Sequence, residues 1–511
     1  MALATAWSVS LLGLEGSIVE DQADLALGLP GLTLTGLPDT ALAEARDRIR
    51  AAVVNSGERW PQRRITLGLS PASLRKRGSG FDLAMAVAVL AADGAVPRAG
   101  LRSRVLIGEL GLDGLVRPVL GVLPAVLTAA AAGYRSVVVP AGNAGEARLV
   151  PGVEICAVSS LRGLLAVLRG QPVPEAPAAA TVVPQGCGTD EPTLDMLDVA
   201  GQAAGRTAME VAAAGGHHAL LVGPPGSGKT MLAERTPGLL PPLDLDEALE
   251  VTAVHSLAGR LPAHEPLISR APFQDPHHTA TVAAIVGGGP GVARPGAASL
   301  ATHGILFLDE APEFSRGVLD ALRQPLESGR LSISRVGGTA VYPARFTLLL
   351  AANPCPCARA EQDCACTPDS RRRYLARLSG PLLDRVDLHV EVPRVSRAEL
   401  LAEDGRGEPT ADIAARVARA RAAAARRYRG TPWRTNGQVP AVELRRRWPL
   451  PRVATVGAER AVDCGLLTAR GFGRVLRMAW TLADLQGARC PGPEHVGHAL
   501  GYRLGSAAGF L

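Results

Sequence analysis

At 511 residues the chain is long enough for about three domains, and a hydrophobic fraction of 47% supplies several cores. Aromatic residues make up only 3%, which leaves little for stacking on nucleic-acid bases, while a net charge of +6 admits an anionic partner without requiring one. The opening MALATAWSVSLLGLEGSIVE is broken by Glu15 and Glu20, and no apolar run reaches the roughly 18 residues that span a bilayer, so the expectation is a soluble, cytoplasmic protein with no membrane segment.

In chain order, residues 1–168 alternate strand-like runs (Ile65–Leu69, Val105–Ile107, Ser136–Val139) with Ala-rich helical ones (Thr40–Asn55, Leu83–Ala92, Leu120–Ala132). Residues 169–192 are a linker: GQPVPEAPAAATVVPQGCGTDEP carries five prolines in 23 residues and little periodicity. Residues 193–393 alternate strand and helix, the pattern of a mostly parallel sheet covered by helices. Residues 394–511 hold helical stretches only (Ala411–Arg429, Val453–Cys464, Gly471–Gln486) and read as a helical lid.

The third block opens on a phosphate-binding pattern. GPPGSGKT, formed by Gly223, Pro224, Pro225, Gly226, Ser227, Gly228, Lys229 and Thr230, follows the apolar strand Ala219–Val222. Its glycines let successive backbone N–H groups turn inward around phosphate oxygens. Lys229 is then expected at the β- and γ-phosphates of ATP, with the Thr230 hydroxyl on Mg²⁺. GILFLDEAPEF is an apolar strand ending in Asp309, suited to hold Mg²⁺, and Glu310, suited to polarise the attacking water. A strand-end acidic pair also serves simply to cap the next helix, but here it accompanies a phosphate loop. RFTLLLAANP ends a third strand in Asn353, a neutral group able to orient water or the γ-phosphate. Delivery of all these groups to one sheet edge follows the rule that ligands of open α/β sheets bind at the carboxyl ends of the strands.

Four of the eight cysteines fall in NPCPCARAEQDCACTP, as Cys355, Cys357, Cys364 and Cys366. Four thiols on a short loop suit a structural tetrahedral Zn²⁺ with no open position for chemistry; the competing reading is a reduced cluster that packs the loop. Arg330–Arg335 and Thr339–Tyr342 flank VGG and read as a hairpin, with Arg330 and Arg335 offering phosphate contacts. His277 and His278 lie in a Gly-rich insertion; a metal site would need both rings on one ion, but adjacent side chains diverge on most backbones, so pore or interface contacts are expected. The arginines of ARVARARAAAARRYRG are expected to solvate a helix face more than to bind DNA.

Strand–phosphate loop, strand–Asp-Glu and strand–Asn in this order resemble an AAA+ ATPase. The segments DVAGQAAGRTAMEVAAAGGHHALLVGPPGSGKTMLAERTPGLLPPL, DPHHTATVAAIVGGG, HGILFLDEAPEFSRGVLDALRQPLESG, AANPCPC and LSGPLLDRVDLHVEVP resemble the magnesium-chelatase-like AAA+ ATPases of the YifB/ComM type, a likeness running from about residue 10 to 505. Ala297 and Thr302 stand where that family commonly has Glu and His. The resemblance implies an α/β multidomain chain: a Lon-protease-like α+β amino-terminal domain, an AAA+ P-loop α/β core and a carboxy-terminal helical lid. It implies that Arg385, in LLDRVDLHV, is an arginine finger reaching the γ-phosphate of a neighbouring subunit, and that Arg470, in LTARGFGRVLRMAW, is the lid's second sensor of ATP. A finger in trans implies a ring, most simply a hexamer. The hairpin is then a pore element, and the activity is that of a DNA helicase promoting branch migration on single-stranded or branched DNA. The alternative is a chelatase-like remodeller of a protein or metal complex. A protease is disfavoured: Ser79 falls beside the nucleophile position, Pro124 occupies the place of the lysine base, and no lysine lies between Lys76 and Lys229.

Overall fold

The computed structural model describes residues 2–36, 40–74, 76, 78–173, 194–262, 265–289, 293–335, 338–359, 364–401 and 407–505. The expected linker lies outside the described residues from position 174 onward.

The amino-terminal domain is built on a seven-stranded mixed sheet. Its spatial order is Gly31–Thr35, Arg64–Ser70, Glu15–Ala26, Ala2–Leu12, Arg104–Leu106, Ser136–Pro140, Glu154–Val158. The two longest strands, Ala2–Leu12 and Glu15–Ala26, form an antiparallel hairpin, and the outer pairs are parallel. Sequence patterning missed that hairpin for a physical reason. The inward face of its first strand is Ala4, Ala6, Ser8 and Ser10, all buried, so the alternation there is real but carried by small side chains with little hydrophobic contrast; the second strand turns Val19, Asp21, Ala23 and Leu25 inward. Small residues are needed there because helix Asp82–Ala92 lies flat on this sheet with all eleven residues buried. A helix apolar on every side belongs at the centre of a domain, and helix Thr40–Asn55 covers its other flank.

The second domain is a five-stranded parallel sheet in the order Phe273–Gln274, Ile305–Leu308, Thr347–Ala352, Ala219–Val222, Leu388–Glu391. Strands Ala219–Val222 and Ile305–Leu308 are buried at every position, as a sheet covered on both faces demands. The register sets Val222 beside Ala352 and Leu308 beside Leu350, so the strands end nearly level and their following loops meet.

The carboxy-terminal region is helical: Thr410–Arg427, Ala441–Arg447, Arg452–Asp463, Ala469–Leu485 and Pro493–Leu504. The three helices read from the sequence match to within two residues at each end; the shorter Ala441–Arg447 and the polar Pro493–Leu504 were not singled out. Helix Ala469–Leu485 is tied to the core by a buried chain of polar contacts. Thr481 Oγ1 meets His217 Nε2 at 2.7 Å, His217 Nδ1 lies 3.2 Å from Asp387 Oδ2, and Arg474 Nη1 donates to Asp387 Oδ1 at 2.5 Å. The Arg474 guanidinium and His217 hold the Asp387 carboxyl well below the usual range against its burial. Within the described residues no helix is long and apolar enough to cross a membrane.

Candidate nucleotide-binding site

The phosphate loop follows from its glycines. Gly226 and Gly228 have φ of +73° and +92°, the left-handed region that L side chains rarely adopt. At Gly223 a Cβ would come within 2.0 Å of the Val392 carbonyl oxygen. Ser227 is buried, and its carbonyl accepts a 2.9 Å hydrogen bond from Gln202 Nε2, which also donates to the Pro393 carbonyl. Gln202 thus pins the loop to the end of strand Leu388–Glu391. Sequence reasoning missed it. Its one signal is glutamine at a helix N-cap, where Ser, Thr, Asp or Asn is usual, and there it takes a φ of 51°.

Lys229 is 7% exposed and its Nζ donates to the carbonyls of Gly223 (2.7 Å) and Pro224 (2.9 Å) and to Asn353 Oδ1 (3.3 Å). Burial lowers its pKa, with Asp309 and Glu310 opposing the shift. Thr230 Oγ1 donates to Asp309 Oδ2 at 2.9 Å. Thus Lys229, Thr230, Asp309 and Asn353, expected together, are joined by direct hydrogen bonds across three neighbouring strands. A hydroxyl and a carboxylate converging in this way form a donor set that fits Mg²⁺.

Glu310 follows with a φ of 50°, a conformation costing a non-glycine residue about 1–3 kcal/mol. The 2.8 Å bond from its N–H to Asp309 Oδ1 holds that turn, and its carboxylate oxygen Oε2 lies 3.3 Å from Nδ1 of His278. The two histidine rings do not diverge as expected. The turn closed by Ala280 N–H on the His277 carbonyl brings their centroids to 4.1 Å, and His278 lies beside Glu310.

Arg385 and Arg470 make their described contacts outside the phosphate loop. Arg385 Nη1 donates to the Pro381 carbonyl at 2.6 Å, Nη2 pairs with Glu327, and the side chain is 11% exposed. Arg470 is 76% exposed on the first turn of its helix and contacts Asp384, the neighbour of Arg385, at 3.5 Å.

The four cysteines converge. Their sulfur atoms all lie within 4.8 Å of one another, with Cys355–Cys357 at 3.3 Å, Cys355–Cys364 at 3.5 Å and Cys357–Cys364 at 3.6 Å. A disulfide needs about 2.05 Å, whereas a tetrahedron of thiolates about 2.3 Å from one Zn²⁺ spaces its sulfurs by about 3.8 Å. The Cys364 thiol is lowered to about 6, chiefly by the backbone N–H of Cys366, while burial pushes Cys355 up to about 12.

The predicted hairpin forms from Arg330–Arg335 and Gly338–Pro343; its tip, residues 336 and 337, lies outside the described residues. Arg330 pairs with Pro343 at the base and Arg335 with Gly338 at the tip. Five residues apart on a strand, they point to opposite faces and are separated by about 17 Å, so they do not form one phosphate clamp. The hairpin also leans on the amino-terminal domain: Gly13 bridges Val341, and Leu12 and Leu14 pack against the cluster of Ala293, Ile333, Ala340 and Tyr342. Thr302, at a family departure, bonds the Pro343 carbonyl at 2.9 Å, and Ala297 is buried. Three arginines of helix Thr410–Arg427 are engaged within the chain, while Arg419 and Arg426 are exposed. Arg416 pairs with Glu210 and Glu408, Arg421 donates to the Ala213 carbonyl, and Arg427 pairs with Asp484. In the amino-terminal domain Ser79 bonds Glu109 and Pro124 is buried within a helix.

Models of one enzyme subunit match the chain in three consecutive blocks. They are "Subunit ChlI of Mg-chelatase" over residues 22–143, "Magnesium chelatase, subunit ChlI" over 195–400, and "Magnesium chelatase, subunit ChlI C-terminal" over 407–503. The chain is 53% identical over 504 residues to a protein of Mycobacterium tuberculosis, covering 98% of this chain and 99% of that one. It is 40% identical over 507 residues to competence protein ComM of Haemophilus influenzae, covering 98% of each, and 38% identical over 504 residues to YifB of Escherichia coli, covering 98% and 97%. Three blocks in the order of the fold, and full-length identity at this level, settle the family: the chain belongs to the magnesium-chelatase ChlI-like ATPases, and among them to the YifB/ComM type.

Proposed function

We propose that the chain is an ATP-hydrolysing ring motor acting on DNA, a helicase promoting branch migration. ATP binds at Gly223–Thr230, with Lys229 drawn from the Gly223 and Pro224 carbonyls to the phosphates. Thr230 and Asp309 would hold Mg²⁺, which supplies charge neutralisation at the phosphates. Glu310 accepts the proton of the attacking water, and Asn353, next to Lys229, orients the γ-phosphate.

The observation that carries the ring is the placement of Arg385. Its bonds run to Pro381 and Glu327 of its own chain, so a finger role requires a neighbouring subunit's nucleotide and release from Glu327. Arg470, beside Asp384, is assigned to read nucleotide from the lid. The assignment to DNA rests on the family and on a relative named a competence protein. Among the hairpin arginines it rests on Arg335, at the tip. The same ATPase core occurs in magnesium chelatase, so remodelling of a protein or metal complex is the competing outcome. The four cysteines bind a structural Zn²⁺ on the loop between Asn353 and the Arg385 turn. The amino-terminal domain is assigned a non-proteolytic role, because Ser79 faces a carboxylate and not a lysine.

The test is ATPase activity with and without single-stranded, duplex and four-way-junction DNA, together with strand displacement from a branched duplex at one fixed salt concentration. Arg335→Ala should keep basal ATPase, weaken DNA binding across all sequences and reduce the salt slope of binding by about 1. Absence of both stimulation and unwinding by the wild type on every DNA would favour the remodeller.

A further inference from the structure

Positive charge in this chain is concentrated in the carboxy-terminal region. Residues 394–511 hold 20 arginines against ten carboxylates, whereas residues 1–393 are net acidic, in a chain whose total is +6. Within that region, residues 426–452 carry eight arginines and a single carboxylate, Glu443. The fold gathers two helix ends from this stretch. Tyr428 follows helix Thr410–Arg427 and Trp448 follows helix Ala441–Arg447, and their rings meet edge to face at 4.8 Å over the cluster of Ala424, Val439, Leu444 and Trp480. Two of the eight arginines are used internally: Arg427 pairs with Asp484, and Arg434 with Asp244. The other six, Arg426, Arg429, Arg445, Arg446, Arg447 and Arg452, are exposed. Arg446 and Arg447 share the Glu443 carboxylate at 2.8 Å each, and Arg445 reaches the Ala441 carbonyl of its own helix. Among the described residues, Arg426, Arg429 and Arg452 make no side-chain hydrogen bond or ion pair.

Helix ends explain part of this charge. Arginine in a last turn offsets the negative end of the macrodipole, which accounts for Arg426 and for one of the three at 445–447. It does not account for Arg429, which lies past the end of its helix. Nor does it account for Arg452, in the first turn of helix Arg452–Asp463, where a cation opposes the dipole and no carboxylate shares the turn. Like charges gathered on one corner raise its potential and attract a polyanion. Guanidinium groups suit phosphate, which they bind through paired N–H donors. The neighbouring rings are already engaged, Trp448 by Tyr428 and Trp433 by the Arg447 guanidinium 5.9 Å from its centroid, so they are not free to stack on unpaired bases. We propose that the corner built from residues 426–452 is a second DNA contact, which holds duplex through its phosphates without reading sequence. It shares no residue with the cluster that supports hairpin 330–343, so it is distinct from the contact assigned to Arg335. This rests on the reading of the chain as acting on DNA.

The experiment measures binding of a short blunt duplex to the full chain as a function of salt. It compares wild type with a fourfold variant, Arg426→Gln, Arg429→Gln, Arg445→Gln and Arg452→Gln, and with lysine at the same four positions. Loss of the phosphate contacts to glutamine should lower the salt slope by about 3–4 and weaken duplex binding at least about tenfold at about 0.1 M salt. The lysine variant should keep the slope within about 1, because a point charge still displaces counterions. DNA-free ATPase should stay within about twofold of wild type in both, since none of the four lies in the nucleotide site. If the fourfold variant does not fold, Arg429→Gln with Arg452→Gln carries the same test, with an expected slope change of about 2. An unchanged slope in the glutamine variants would overturn the proposal and leave the hairpin reading standing. An equal loss in the lysine variant would also overturn it, because geometry and not charge would then be at work. A wild type that binds no DNA would overturn both readings, and binding of poly-glutamate in its place would assign the corner to an acidic protein segment.

Discussion

The ATPase core and the amino-terminal domain each bury one lysine, and these are the only two lysines in a chain with 54 basic residues. Both ammonium groups sit on a pair of backbone carbonyls: Lys229 on Gly223 and Pro224, Lys76 on Leu69 and Pro71. Their surroundings separate them. Lys229 borders Asn353, Thr230 and Asp309 at the open ends of a parallel sheet, where phosphate can replace the carbonyls. Lys76 is wholly buried, its ammonium at the end of strand Arg64–Ser70. Nearby, Asp21 accepts from Ser8 at 2.6 Å, its other oxygen has no hydrogen-bond partner, and burial raises its pKa to about 8. A buried lysine therefore marks a site only where the sheet edge leaves room for a ligand. In the amino-terminal domain the same chemistry holds a loop in place.

The largest effects should separate the two lysines outright. Lys229→Ala should lose ATP binding by about a hundredfold or more, and Glu310→Gln should bind ATP but hydrolyse it about a hundredfold more slowly. Lys76→Met should leave kcat and KM unchanged while lowering unfolding stability by about 1–3 kcal/mol, since two buried carbonyls lose their donor. Nucleotide titration, steady-state ATPase and denaturant melts read all three, and a drop in kcat for Lys76→Met would break the comparison.

Next in size, Arg385→Ala should bind ATP and hydrolyse it at least about tenfold more slowly. Mixing it with Lys229→Ala subunits should restore part of the activity, because some interfaces then hold an intact Lys229 and an intact Arg385. No rescue at any ratio would confine Arg385 to its own subunit. Protein purified without chelator should contain one zinc per chain by elemental analysis; Cys364→Ser should lose most of it and melt at lower temperature. Absence of zinc in the wild type would leave the cysteines as a packing cluster.

The smallest effect concerns Asp21. Its folded pKa of about 8 exceeds the ordinary 3.8, so the folded state holds a proton that the unfolded state releases. The protonated carboxyl keeps its full stabilising value below about pH 4, and that value is lost as pH rises from about 4 to about 8. Asp21→Asn mimics the protonated form. It should melt above wild type at pH 8, with the gap closing towards pH 4. An equal gap at both pH values would remove Asp21 as the titrating group.

The nucleotide site was legible because its chemistry is local: a glycine-rich turn, two adjacent carboxylates and a strand-end Asn announce themselves within a few residues each. The hairpin 330–343 was legible from its turn, but not its support, since Leu12 and Leu14 are more than 300 residues away in sequence. The first strand escaped notice because Ala and Ser fill its buried face, a choice made by a helix eighty residues further on. Gln202 gave almost no signal, because its role lies in reaching Ser227 and Pro393 across the fold.

By itself, then, the amino-acid sequence determined the three-part organisation, the phosphate loop with its acidic and Asn partners, and the cysteine spacing. Each of these is set by short-range periodicity or by residue types at fixed offsets. Only the tertiary structure decided that Lys229 touches Asn353, that Arg385 is bound to Glu327 of its own chain, that His278 lies against Glu310, and that four sulfurs meet at near-tetrahedral spacing. Such contacts depend on strand order and on which loops end level with one another. No local pattern encodes that order, because it emerges when separate segments bury their apolar faces together.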